Sequence, residues 1–553
     1  AEPVYWASRN SSFSFAGGVL LGRESRLTMV VWRLLLVTTF VIVVAGGCSD
    51  EQQPVERVEG TVVSSGSLVV GYDEEPAILN PFIVGGESEA TSDMMAGVLE
   101  KPYELQPDLS LAPELAEGGP VVVSKDPLII EYRLKDYLTF SDGELLTSAD
   151  AKFTYQAIMS PRNNTISRDG WDRIEKFEVL DEQTVRMNFS EPYAAWRDLL
   201  SGPQSVILPR HIYGGEDFNR ALNEEVIGSG PYVLREWNKG QNLILEENTN
   251  YWGEVPPIQQ ITFRFMPEAD RLNAALESGE VDFIKPPLRT GLKKELESYQ
   301  GVQVDNAAGV FWEHIAFNTN EIESLKLRRA IAYGLNREQL LDEILPGQVE
   351  PLDSVITPQQ DPFYTPAWQK YGFDPERARQ LVREADSEGA DTTVSFTTTS
   401  DDLRTTLQKE IKQQLEDIGL TVKTDDVDSS TLFSERLPKG DFQMGQWAWL
   451  ATPEPQLNIL FGAESFPPDG QNYYRYEDPK ASLLMSRADE TVDTKERAEL
   501  IKQVQEIMAQ DLPVIPLYQR PIYYAYDENL EGPEVNPTLE GPFWNIGEWS
   551  LDN

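Results

Sequence analysis

Leu403, Leu407, Ile411, Leu415 and Ile418 recur at helical spacing with polar residues between them, which predicts an amphipathic helix. Ser400 stands where its N-terminal cap is expected, and Gly419 where it should end. On either side the period changes. Residues 393–398 alternate as a half-buried strand does, and 420–423 begin another strand. Such a strand–helix–strand unit favours a parallel pair joined by a right-handed crossover. The same punctuation recurs elsewhere. Thr147-Ser148-Ala149-Asp150 is a cap of the Ser/Thr-x-x-acid kind ahead of inward-facing Phe153, Ala157 and Ile158. Ser67–Tyr72 and 132–134 read as strands, Asp142-Gly143 as a turn, and 494–510 as a last long helix that stops before Pro513. The pattern predicts an α/β chain with mixed sheets. In such folds ligands bind beyond strand ends, where loops converge.

One apolar run follows neither period. Residues 34–44 are almost wholly apolar, too few to span a bilayer, which takes about 20 residues. With Arg33 at its charged edge, the run fits the hydrophobic region of a secretory signal. It ends in Ala45-Gly46-Gly47-Cys48, small residues ahead of the single cysteine of the chain. That arrangement resembles a bacterial lipoprotein signal at 29–47, with Ala45 where leucine is usual. The resemblance implies that Cys48 is lipidated and anchors the protein to the outer face of the cell membrane. Residues 1–28 match no targeting pattern, and Met29 is the first methionine. They are expected to lie upstream of the true start. Residues 48–66 are polar and read as a tether.

Composition narrows the function. A chain of 553 residues is too long for one hydrophobic core. Lone Cys48 leaves no partner for an internal disulfide. The 47 basic and 91 acidic residues give a net charge of −44, a surface that repels nucleic acid phosphates. His211 and His314 are far apart, so neither a zinc site nor a direct nickel site is expected. Gly228-Ser229-Gly230 is not a phosphate loop, because Pro231 follows at once. No Walker A or Gly-x-Ser-x-Gly pattern occurs. The reading is a binding protein without cofactor or metal, not an enzyme. Plentiful carboxylates keep an extracytoplasmic hydrolase as the alternative from another class, and a surface interaction protein without a transported solute as a third.

Four stretches carry a resemblance. They are 138–153, around Phe140-Ser141-Asp142-Gly143; Gly228-Ser229-Gly230-Pro231-Tyr232 with 247–253; Phe317-Asn318-Thr319-Asn320 with 327–337; and 493–497 leading to Asp511-Leu512-Pro513. In this order and spacing they resemble the extracellular solute-binding proteins, family 5, of peptide- and nickel-type ABC importers. The resemblance implies a bilobal, class II periplasmic-binding-protein (venus-flytrap) fold. Lobe I would comprise 67–316 plus 522–553, with an extra subdomain inserted near 98–225, and lobe II would be 317–521. The lobes would cross near 317–320 and 517–521. The implied partners are a small solute, by family default an oligopeptide, and ABC permease and ATPase subunits. The protein would act as an extracytoplasmic monomer. An oligosaccharide or a metal chelate is the alternative ligand.

Gln446-Trp447-Ala448-Trp449-Leu450-Ala451-Thr452-Pro453-Glu454-Pro455 resembles the family's cleft-lining segment. The acidic anchor for a peptide ammonium that relatives carry reads Leu450 or Ala451 here, and the arginine for a peptide carboxylate reads Met444. Neither charged anchor transfers, which speaks against gripping a short peptide by its ends. Trp447 and Trp449 alternate, so both should face one side of an extended segment, at least one of them in the cleft, where flat rings could stack on a ligand. Further cleft candidates are Gly85, Gly86 and Glu87, where glycine amides could approach a ligand, Trp312 before the crossing, and Thr399 and Ser400 at a strand end.

Overall fold

The computed structural model describes residues 66–223 and 225–552. The upstream segment 1–28, the signal 29–47, Cys48 and all of the tether but Gly66 lie outside the described residues.

Ten strands form one mixed sheet. Their order is Thr421–Val427, Thr393–Thr399, Met444–Leu450, Val302–Phe317, Val514–Asp527, Phe283–Ile284, Ser67–Tyr72, Gln260–Phe265, Asn242–Glu247 and Tyr232–Asn238. Thr393–Thr399 and Thr421–Val427 pair in parallel, as their crossover helix Asp402–Asp417 requires. That helix buries Leu403, Leu407, Ile411 and Leu415. Its cap is Asp401, whose carboxylate accepts the Arg404 N–H at 2.9 Å, not Ser400, which lies one residue before it. Gly419 ends the turn at a φ of +101°. The helix Ser148–Met159 has the expected cap, with the Asp150 carboxylate accepting the Thr147 N–H at 2.9 Å.

The two longest strands, Val302–Phe317 and Val514–Asp527, run antiparallel through the middle of this sheet. Residues 302–308 pair with 521–527, and 312–316 with 514–519, with a register shift between Ala308 and Trp312. Gly309 sits in the break, where a Cβ would come 2.6 Å from the Arg520 carbonyl. The segment 317–320 lies beyond it, where the Phe317 N–H donates to the Pro513 carbonyl at 2.9 Å.

The apolar cores divide along the same line. One cluster draws almost entirely on residues 310–518. A second joins Leu68, Val70, Ile261 and Phe263 to Tyr524, Phe543 and Trp549, so the C-terminal segment packs with the first strand. A third, made of residues 103–207, fills the face of a separate sheet of Val121–Lys125, Leu128–Arg133, Thr184–Phe189 and Ile174–Val179. No helix among the described residues is long and apolar enough to cross a membrane.

Candidate functional site

A cavity of about 1280 Å³ of empty space, partly open to solvent, lies where three stretches of chain converge. The segment 81–93, Lys285 and the turn 538–541 form one wall, residues 167–205 another, and Thr452, Pro453 and Gln456 the third. The third wall is held to the second by charge. Buried Glu454 accepts hydrogen bonds from Arg197 Nη1 at 2.7 Å and from Arg497 Nη1, and Arg497 also donates to the Pro455 carbonyl at 2.6 Å. Glu454 is thus spent on structure.

Lys285 projects from the end of a two-residue strand toward Glu89 at 3.2 Å and Asp93 at 3.6 Å. Burial opposes the charge on Lys285, but Asp93 and Glu89 outweigh it and raise the amine above the ordinary lysine range. Burial pushes Asp93 up to about 6 despite Lys285, while Tyr72 donates its hydroxyl to the same carboxylate at 2.7 Å. Glu89 is lowered, chiefly by Lys285. Asp198, on the opposite wall, lies in a short 3-10 turn between buried Trp196 and Leu199. Both of its carboxylate oxygens are buried and without a side-chain hydrogen-bond partner among the described residues.

Gly86 and Glu87 line this cavity. The glycine amides are turned inward, however. The Gly85 N–H donates to the Glu87 carboxylate and the Gly86 N–H to the Ile83 carbonyl, and a Cβ on Gly86 would lie 1.9 Å from the Asn80 carbonyl oxygen. Gly86 serves a tight backbone approach, Gly85 a φ of +102°, and neither amide is free for a ligand. Trp447 has no exposed surface and packs among His314, Phe442, Tyr473 and Tyr474 as core. Trp449 does share its face, 6.4 Å away at 89°, and is half-buried. It stacks on Tyr473 and donates Nε1 to the Tyr474 hydroxyl at 2.6 Å. A paired tryptophan surface is therefore not formed. Trp312 is buried opposite Trp449. Ala451 is buried, with its N–H on the Val310 carbonyl, and Leu450 is half-buried opposite Phe311. Thr399 accepts from Arg404 at 2.8 Å inside the core, and exposed Ser400 donates its N–H to Val427.

The sequence reading missed Lys285, Asp93 and Asp198. The available signal was an ionisable residue inside an apolar run, as in Ala194-Ala195-Trp196-Arg197-Asp198-Leu199-Leu200. Among the described residues, no group of three His, Cys, Asp or Glu side chains could hold a metal ion.

The description "Bacterial extracellular solute-binding proteins, family 5 Middle" matches residues 110–466. The oligopeptide-binding protein AppA of Bacillus subtilis is 25% identical, over 96% of this chain and 99% of the relative. Its structure in complex with a nonapeptide superposes with a TM-score of 0.70, over 88% of this chain and 99% of that one. The glutathione-binding protein GsiB of Salmonella paratyphi A is 26% identical, over 79% of this chain and 86% of the relative. The substrate-binding protein CtaP of Listeria monocytogenes shares the fold, at 24% identity and a TM-score of 0.78, over 88% and 99% of the two chains. The fold is the bilobal α/β one with an inserted subdomain, and because the family description matches more than half of its length, the chain belongs to the bacterial extracellular solute-binding proteins of family 5.

Proposed function

We propose that this protein is the solute receptor of an ABC importer, that it captures a peptide between its lobes, and that it delivers the peptide to membrane permeases. The observation that carries this reading is the cavity at 81–93, 167–205 and 452–456, three stretches far apart in sequence that meet around one open space. The relatives named for oligopeptide and glutathione binding support a peptide as the solute. Energy for uptake would come from partner ATPase subunits. Lipid on Cys48 would hold the protein at the outer face of the membrane.

The lobes of the proposed clamp meet at Ala308–Trp312 and Gln519–Pro521. The register shift between the two long strands supports that position, eight or so residues before the crossing expected at 317–320. Closure there is a hinge motion, and the ligand must favour the closed form for it to shift the balance. The test is native mass spectrometry of gently purified protein, followed by denaturation to release what it carries. A heterogeneous ladder of peptide masses is expected. A single saccharide or chelate mass would overturn the peptide assignment.

A further inference from the structure

The cavity wall is acidic, and its acids differ in how they are held. Glu87 closes its own loop on the Gly85 amide. Glu89 and Asp93 share Lys285. Asp169 also has a partner. Asp198 is the exception, since both of its oxygens are buried and no side chain donates to either among the described residues, the Glu454 amide alone lying beside them. The two nearby guanidiniums, Arg197 and Arg497, are engaged by Glu454. A buried carboxylate left in this condition is unfavourable unless a cation or donor arrives.

From this placement we infer that Asp198 anchors a positively charged group of the solute, an ammonium or guanidinium, so that the receptor selects cationic peptides. The inference rests on reading this cavity as the solute site. Two further observations support it. Among the described residues, Lys285 is the only basic one lining the cavity, and its charge is already shared between two carboxylates, so that part of the wall offers little to an anionic ligand. Trp171 lines the same wall, and aromatic faces attract cations. Burial, and then the Glu454 charge, hold the Asp198 carboxyl well above the usual range, against the pull of Arg497, the Glu454 amide and Arg197. A ligand cation would reverse that balance, and Asp198 would lose a proton as the solute binds.

The test is calorimetric titration of the full chain, in buffers of different ionisation heat, with three pentapeptides that differ at one position: lysine, norleucine or glutamate. The lysine peptide should bind about tenfold or more tighter than the norleucine peptide, the worth of one charge-assisted hydrogen bond. It should also release a proton that the norleucine peptide does not. In Asp198→Asn the preference should fall to near parity and the proton should vanish. Because the asparagine is isosteric and removes an unpaired acid, its melting temperature should not fall. Equal binding of the lysine and norleucine peptides by the unmodified protein would overturn the inference and leave the peptide receptor standing. So would a lysine preference that survives in Asp198→Asn. Failure of all three peptides to bind would overturn both readings.

Discussion

Glu313 has no exposed surface and lies between two guanidiniums, Arg404 Nη2 at 2.8 Å and Arg520 Nε at 2.9 Å. Burial alone would push its carboxyl up, but Arg404 and Arg520 outweigh it and hold it at about 2, below the ordinary 4.5. Removing one member of such a set strands the others, so Glu313→Gln should lose roughly 3–5 kcal/mol in urea unfolding. Trp447 and Trp449 make a second pair of expectations. Trp447→Ala empties a core site and should cost about 3–5 kcal/mol. Trp449→Phe loses one hydrogen bond to Tyr474, and should cost about 1 kcal/mol. Equal losses in the two variants would refute this assignment of core and rim. The alternation of the two tryptophans was legible in the sequence, because a strand repeats every two residues. Which face is buried was not, because residues 444–448 are buried on both faces and alternation carries no sign there.

At the scale of elements, the segments that carried the family resemblance turn out to be joints of the backbone. The Gly230 and Tyr232 N–H groups donate to the Val98 and Gly97 carbonyls at 3.1 and 2.9 Å, and the Gly228 carbonyl accepts from Ser141 at 2.8 Å. A Cβ on Gly228 would lie 1.9 Å from the Val98 oxygen. Gly228→Ala should therefore lower the urea midpoint, at a cost of about 1–3 kcal/mol through the forced backbone shift. An unchanged midpoint would mean that the joint yields freely. Capped helices and their parallel crossover could be read from the sequence, since caps, periods and terminating glycines are local signals. The lobe crossing is not a local signal. The resemblance implies a crossing near 317–320; the long strand runs to Phe317, and its ladder shifts register between Ala308 and Trp312. Such a shift shows only in the pairing of two strands far apart in sequence.

For the molecule as a whole, the net charge of −44 and a set of perturbed carboxyls make stability a matter of pH. Lys101 binds Glu540 at 2.6 Å, where residues 100–114 meet the C-terminal segment. Three further glutamates crowd that junction. Burial and the Glu114 charge push Glu100 up to about 8 and Glu104 to about 9, and burial pushes Glu114 to about 7 against Lys101. They titrate as a set. Each folded value lies above the unfolded one, so the folded state keeps protons that the unfolded chain has already released. Their contribution is fully present below about pH 4.5 and is lost as pH rises through the range from 7 to 9. His314 works in the other direction. Burial lowers it to about 3 from 6.5, so its neutral form costs stability as pH falls below 6.5. Glu313 adds to that loss below 4.5. Calorimetric melting temperatures should therefore peak on the mildly acidic side and fall on going to pH 9. Salt should restore only the part of the alkaline loss that comes from repulsion between exposed charges, because screening reaches buried groups poorly. Glu100 accepts from the Tyr251 hydroxyl at 3.0 Å and from Trp252 Nε1 at 2.9 Å. Glu100→Gln keeps an acceptor in that place without the ionisation. It should flatten the decline between pH 5 and 8, at high salt as well as low. A decline of unchanged slope in Glu100→Gln, or one abolished by salt alone, would place the pH dependence on the surface charge rather than at this junction.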